Sequence, residues 1–404
     1  MITNVKDRSL TIRGALNLGF HPDEPQDLSD WLNLPLFLFG QEEGYNERGD
    51  VITETTDGFP LNRMWDNFQR IIRLWNQQRD SITNILTYNV TNNIEGVRYP
   101  IEQDFEEASE FGEPVGIRLG PPFRMGFGFK FYDLAIRYTW MMLAESTADQ
   151  LESLHNTALE ADNRLMFTKI LKQVFNNTTR IADIDGQDVN VYPFYNGDTM
   201  VPPKWKVTTF ATGHQHYVTS GGATVVSGDL DDLQALITEH GYGQLQGYSL
   251  VLMVNQAQGS VIRSFKVATG AKYDFIPSNN VGGGMYLPAN GGIIGAPQMR
   301  TFPGLITIGS YGQFTIVEED YIPAGYMFAF ATGGIENIGN PVGIRQHEQA
   351  SLRGLRLVKG RDNDYPLIDS FYLHGFGTGV RHRGAGAVMQ ITAAGSYTVP
   401  SIYA

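Results

Sequence analysis

The sequence predicts an α+β fold in which a long spine helix carries a small α/β region and a β-rich end, behind an N-terminal arm and an extended β-hairpin loop. Three observations point there. A helical pattern runs from Thr147 to Phe175 with no glycine or proline inside it, longer than an ordinary globular helix. From about residue 177 the pattern changes to short apolar runs separated by turn residues, in a chain with 45 glycines among 404 residues. Before the helix, residues 1–60 and 82–131 hold long stretches with no regular period, which compact domains rarely contain.

Taken in order, HPDEPQDLSD, WLNLPLFLFG and QEEGYNERGDVITETTDGFP alternate apolar clumps with polar stretches. They suit an arm that lies on something else, and residues 1–81 are assigned to it. Within 62–79, Met64, Trp65, Phe68, Ile71, Ile72 and Trp75 fall at helical spacing and predict an amphipathic helix with both tryptophans on its buried stripe.

Residues 82–131 are expected to form the extended loop, with ITNILTYNV as a strand at its start. The outgoing half carries Glu102, Asp104, Glu106, Glu107, Glu110 and Glu113, and the returning half carries Arg118, Arg124 and Lys130. Prolines 100, 114, 121 and 122 forbid a continuous helix, so a two-stranded excursion is predicted, acidic going out and basic coming back. Exposed ion pairs contribute only ~0 to 1 kcal/mol each, so a solvated loop is one reading. A seam between subunits, where sorted charge sets register, is the other.

Asp133 is expected to cap a first helical segment, LAIRYTWMMLAES, and Thr147 with Gln150 forms a T-x-x-Q capping box for the second. At a 1.5 Å rise, that second segment would be roughly 40 Å long, long enough for other elements to lie on. Beyond it, SGDLDDLQALITEHG predicts a helix capped by Ser227 or Asp229 and stopped at Gly241. YSLVLMVN suits a buried strand. Residues 304–334 predict successive strands joined by glycine turns, and YPLIDSFYL and AVMQITAAGSYTVP are further strands.

Composition excludes several functions. The net charge of −13 lacks the basic footprint of a nucleic-acid reader. With no cysteine there is no disulfide, thiol nucleophile or cysteine-ligated metal. MITNVKDRSLTI has no signal-peptide core, and no apolar run reaches the ~18 to 20 residues that cross a bilayer. A cytoplasmic origin is therefore expected.

Gly375, Gly377 and Gly379 suggest a phosphate loop, but the third glycine is one place early for G-x-G-x-x-G and a strand follows instead of a helix. This stretch is expected to be a turn-rich crossing between strands. His214 and His216 are two apart and on a strand would share a face where a metal could bind. A third ligand is wanting, with His240 and Asp229 only distant candidates, so a polar loop before a strand is the expectation. His382, between Arg381 and Arg383, should stay neutral and makes a poor general base. No catalytic, cofactor or metal site is predicted.

The order of elements, with FEEASEFGEP, GFGFKFYDLAIRYTW, SGDLDDLQALITEHGYG, EDYIPAGYMFAFATGG, NPVGIRQH and GVRHRGAGAVMQITAAGSYTVP, resembles the major capsid proteins of tailed bacteriophages. The resemblance runs over roughly residues 82–404 and is densest from 300 on.

It implies the tailed-phage capsid fold. The extension loop would be 82–131, the peripheral domain with its spine helix 132–204 and 302–386, and the α/β axial domain 205–301 and 387–404. It implies a structural, non-enzymatic subunit without cofactors that assembles as hexamers and pentamers into an icosahedral shell around double-stranded DNA. The implied partners are copies of the chain, a portal protein, scaffolding and decoration proteins, and packaged DNA bound without sequence preference, with no membrane. Its place would be the virion, after assembly in the host cytoplasm.

Candidate contacts between subunits are Glu102, Asp104, Glu106, Glu107, Glu110, Arg118, Arg124, Lys130, Arg381 and Arg383. Some relatives crosslink through a loop lysine. No lysine occurs between residues 80 and 129, so no such crosslink is expected. Few residues precede the loop and most are not helical, so a separate scaffolding protein or none is expected, with no removed segment. The alternatives are an encapsulin-like nanocompartment shell, told apart by protein cargo, and a metal-dependent enzyme using His214 and His216.

Overall fold

The computed structural model describes residues 52, 54–77, 81–97, 100–101, 105, 107–108, 110, 112, 116, 118–119, 123–184, 186–278, 307–359 and 367–404. Most of the predicted arm, residues 1–51, lies outside that set, as do the GGG and NGG stretches near residue 290.

In chain order the elements are α1 (Leu61–Gln77), α2 (Ser81–Leu86), β1 (Thr87–Val90), β2 (Ile94–Val97), β3 (Pro100–Ile101), β4 (Arg118–Leu119), β5 (Phe123–Gly126), β6 (Lys130–Thr139), α3 (Trp140–Glu145) and α4 (Ala148–Phe175). There follow β7 (Arg180–Ile184), β8 (Gln187–Val191), β9 (Tyr217–Thr219), α5 (Ser227–Thr238), β10 (Ser249–Val254), α6 (Gln256–Ile262) and β11 (Ile276–Pro277). The last are β12 (Thr307–Tyr311), β13 (Phe314–Glu318), β14 (Tyr326–Thr332), β15 (Val342–Gln346), β16 (Leu355–Lys359), β17 (Leu367–Val380) and β18 (Gly386–Gln390).

The spine α4 has 28 residues and is about 42 Å long at 1.5 Å per residue. Its start is the predicted capping box: the Gln150 side chain accepts from the Thr147 N–H at 3.1 Å. Two sheets share it. One has the order β1-β15-β17-β16 with β6 also paired to β17, and the other has the order β11-β12-β13-β10-β14-β18-β9.

The N-terminal half of the spine buries Leu151, Ala158 and Leu159 against Met64, Phe68 and Ile72 of α1 and against Leu355, Leu357 and Tyr372 of the first sheet. The C-terminal half, from Met166 to Phe175, lies in a core that joins both sheets: Val342, Ile344, Phe376 and Val380 of the first, and Val251, Met253, Phe328 and Val388 of the second. On the other face of the second sheet, Leu250, Leu252 and Val254 pack with Leu230, Leu233 and Ile237 of α5 and Ile262 of α6. β10 is thus covered on both faces, which is why its sequence is a continuous apolar run.

Polar groups also fasten the spine. The Asp162 carboxylate takes the ring of His374 on β17 at 2.5 Å and the Trp75 indole N–H of α1 at 3.3 Å. His155 stacks on Phe68 with ring centroids 4.2 Å apart, and its Nδ1 lies 2.6 Å from the Tyr372 hydroxyl. The two tryptophans of α1 are only half-buried, on the shoulders of a stripe made by Met64, Phe68 and Ile72.

The structure corrects four further expectations. Asp133 caps nothing: residues 130–139 form β6, paired antiparallel with β17 from Lys130↔Phe376 to Thr139↔Leu367, a ladder to a partner over 200 residues away that local periodicity cannot register. The helix begins instead at Trp140, where the Thr139 hydroxyl accepts from the Met142 N–H at 3.1 Å.

ITNILTYNV opens as the short helix α2, and only Thr87–Val90 is strand. Residues 307–332, expected in the peripheral domain, belong to the seven-stranded sheet through the parallel pair β10–β13 and the antiparallel pair β10–β14. The stretch GFGTGV is not a turn-rich crossing but the end of the 14-residue strand β17. Among the described residues, no helix is long and apolar enough to cross a membrane.

Candidate functional site

Of the excursion predicted at 82–131, residues 82–90 belong to α2 and β1 and Lys130–Phe131 open β6, while the stretch from Ile94 to Gly126 carries two short antiparallel ladders. β2 pairs with β5 from Ile94↔Gly126 to Val97↔Phe123, and β3 pairs with β4 through Pro100↔Leu119 and Ile101↔Arg118. Beyond them Phe105 is fully exposed. Glu107, Glu110, Arg124 and Lys130 are also exposed, and no ion pair joins any of the four to another described residue. Arg118 is placed by its backbone in β4, while Glu102, Asp104 and Glu106 lie outside the described residues.

The base of the hairpin is built tightly. A side-chain atom on Gly126 would meet Val189 of β8 at 2.7 Å. Residues Gly126–Phe131 cross the end of β17, and the row Gly375, Gly377, Gly379 is the floor they cross. A Cβ on Gly375 would meet the Phe131 ring at 2.7 Å, one on Gly379 the Phe127 ring at 2.7 Å, and one on Gly377 would coincide with the Gly128 carbonyl. Glycine at every second strand position marks such a close approach, so the glycines of the apparent phosphate loop serve packing. Phe127 is fully buried, and its carbonyl accepts from Arg345 at 3.2 Å.

Arg381 belongs to this root. Its Nε lies 3.2 Å from the Glu95 carboxylate of β2, and its guanidinium sits over the Tyr88 ring at 6.0 Å. Arg383 departs from the expected contact between subunits, because only 2% of it is exposed. Its guanidinium donates to the carbonyls of Pro193 at 2.9 Å and Phe194 at 3.1 Å, pairs with Asp198 at 2.8 Å and faces the Tyr195 ring at 4.7 Å. It is an internal structural group with no surface to offer a neighbour.

Between the arginines, the His382 Nε2–H donates to the Ile338 carbonyl at 2.8 Å and Nδ1 lies 3.1 Å from the Tyr242 hydroxyl. Burial, more than the charge of Arg381, brings its pKa down to about 4, so the ring is neutral as expected.

His214 and His216 do not stand alone. The end of α5 brings His240 and Glu239 to them, and the three Nε2 atoms lie 2.9 to 3.1 Å apart. Asp229, the other distant candidate, accepts from the Val226 N–H at 2.8 Å and caps α5 instead. Glu239 was missed. The only sequence signal for it was the Glu–His pair just before the helix-stopping Gly241, and nothing local ties that pair to a strand more than 20 residues earlier.

A spine helix shared by two sheets, with a charged hairpin standing on a glycine-floored root, defines the class: a shell subunit with the tailed-phage capsid fold. A solved structure from Mycobacterium phage Patience is 42% identical over 90% of this chain and 97% of its own, with a TM-score of 0.68. The capsid of a native GTA particle matches at 15% identity over 78% of this chain and 91% of its own (TM-score 0.45). The holo-SrpI encapsulin complex of Synechococcus elongatus PCC 7942 matches at 10% over 93% and 99% (TM-score 0.44). No protein-family model and no curated protein matches the sequence. On the 42% relationship, the chain belongs to the major capsid proteins of tailed bacteriophages and is a structural protein of the viral capsid.

Proposed function

We propose that the chain assembles as hexamers and pentamers into an icosahedral shell that encloses double-stranded DNA, with the hairpin of each subunit laid across a neighbour. The observation that carries this reading is the hairpin itself. It has a buried root at Gly126–Phe127, and an outer part that presents a fully exposed phenylalanine, Phe105, with the exposed acids Glu107 and Glu110 close after it in the chain. An apolar side chain and sorted charges in full solvent gain nothing in an isolated subunit, whereas a complementary neighbour desolvates the one and pairs the others. Repetition of such a contact by rotation gives closed rings.

In this reading the spine and the five-stranded sheet form the peripheral part, and the seven-stranded sheet forms the part facing the ring axis. A portal protein, scaffolding and decoration proteins are the further partners, and the particle is built in the host cytoplasm. The net charge of −13 keeps packaged DNA from adhering to the wall. The role is structural and requires no catalysis.

The test is electron microscopy of the expressed chain beside Phe105→Asp. Wild type is expected to form closed particles. The variant should remain as folded, unassembled subunits with an unchanged melting temperature. Wild type that stays monomeric at high concentration, or a variant that assembles normally, would sink the proposal. Closed particles filled with protein cargo would favour a nanocompartment shell.

A further inference from the structure

We propose that His214, His216, His240 and Glu239 bind one divalent transition-metal ion, zinc by its chemistry, which ties the end of α5 to the segment entering β9. The inference does not rest on the shell reading.

The nitrogens cannot satisfy one another. His216 Nδ1 lies 2.7 Å from the Gly386 carbonyl, which only accepts, so Nδ1 carries the proton and Nε2 of the neutral ring is a bare lone pair. That Nε2 faces His214 Nε2 at 3.1 Å and His240 Nε2 at 3.0 Å, and those two face each other at 2.9 Å. An imidazole N–H nitrogen cannot also accept. If both partners donate to His216, two N–H groups collide; if fewer donate, lone pairs do. A cation in the middle resolves all three contacts. Nitrogens bound to zinc at ~2.0 to 2.1 Å lie about 3.3 Å apart at the tetrahedral angle, so the triangle needs to open by only a few tenths of an ångström.

The fourth ligand is also in place. The Glu239 carboxylate reaches within 3.3 Å of His214 Nε2 and 3.9 Å of His240 Nε2. Its Oε1 is buried with no hydrogen-bond partner, and all four ligand atoms fall within 4.8 Å of one another. The Gly386 carbonyl behind His216 is the outer-shell acceptor that fixes a ligating ring, and the C-terminal end of α5 adds favourable negative potential. Stacking of Phe210 and Tyr195 on His240, at 4.3 and 5.3 Å, holds that ring. The nearby Arg383 charge is offset by Asp198 at 2.8 Å.

Burial, the largest cause in each case, lowers the pKa of all three histidines, His240 to about 3, which leaves neutral rings free to ligate. Three imidazoles and a carboxylate suit zinc, and four protein ligands leave no open position for substrate. The ion is therefore structural, which removes the basis for a metal-dependent enzyme at His214 and His216.

The experiment uses the full chain. Zinc is measured by mass spectrometry as purified and after dialysis against zinc, and cobalt(II) is substituted and followed by absorption. About one ion per chain, a tetrahedral cobalt spectrum and a zinc-reversible fall in melting temperature on chelation are expected. The fall should be about 3 °C where free zinc is a hundredfold above its Kd. His214→Ala combined with His240→Ala should abolish binding. The proposal is overturned if wild-type chain dialysed against zinc holds no ion, or if the double variant retains it. The wild-type measurement stands whether or not the variant folds.

Discussion

At Arg383 a guanidinium with 2% exposure is held by two carbonyls, a carboxylate and an aromatic face, while two positions earlier Arg381 keeps 28% of its side chain in solvent and one ion pair. The same residue type should therefore respond very differently to removal. Arg383→Ala strands Asp198 and two buried carbonyls and should cost about 3 to 5 kcal/mol in denaturant unfolding, whereas Arg381→Ala should cost about 1 kcal/mol or less. Equal costs would contradict the internal assignment of Arg383.

His155 gives a prediction in pH. It is fully buried, and burial brings its pKa from 6.5 to about 4. The unfolded chain binds the proton more tightly, so stability is complete above pH ~6.5 and falls as pH drops toward ~4, on the order of 3 kcal/mol in all. Urea midpoints measured across that window should fall less steeply in His155→Gln than in wild type. Parallel curves would assign the acid sensitivity elsewhere.

Among the elements, β17 shows how a motif of one appearance can serve another purpose. Its alternate glycines leave room for the backbone at Gly128 and the rings of Phe127 and Phe131. Gly377→Ala must displace a carbonyl and should cost about 1 to 3 kcal/mol or more. Gly96→Ala, where nothing lies within 4 Å, should stay within about 0.5 kcal/mol. Melting temperatures of the pair decide it.

The spine, its capping box and α5 were legible because their signals are local: an uninterrupted run, a Thr-x-x-Gln pair, an acid at the third position, a glycine stop. β6 was not. Its exposed and half-buried residues alternate weakly, and only the ladder to Leu367–Phe376 makes it a strand.

For the whole molecule, the sorted charge of the hairpin becomes testable at Glu107 and Glu110, which are exposed with no described ion-pair partner. Reversing both to lysine should weaken assembly most at low salt, where the Debye length is long, and progressively less as salt rises. Light scattering across a salt series reads this directly, and assembly unchanged at every ionic strength would leave Phe105 and the shape of the hairpin as the assembly determinants.

By itself the sequence determined the spine and its capping box, α5, the buried strand β10 and the family, because each is written in neighbouring residues. Tertiary structure alone decided that residues 307–332 join β10 and not the five-stranded sheet, that Arg383 turns inward, and that His240 and Glu239 meet His214 and His216. Those are contacts between segments tens to hundreds of residues apart. Periodicity reports which face of an element is apolar, and packing alone selects what that face meets.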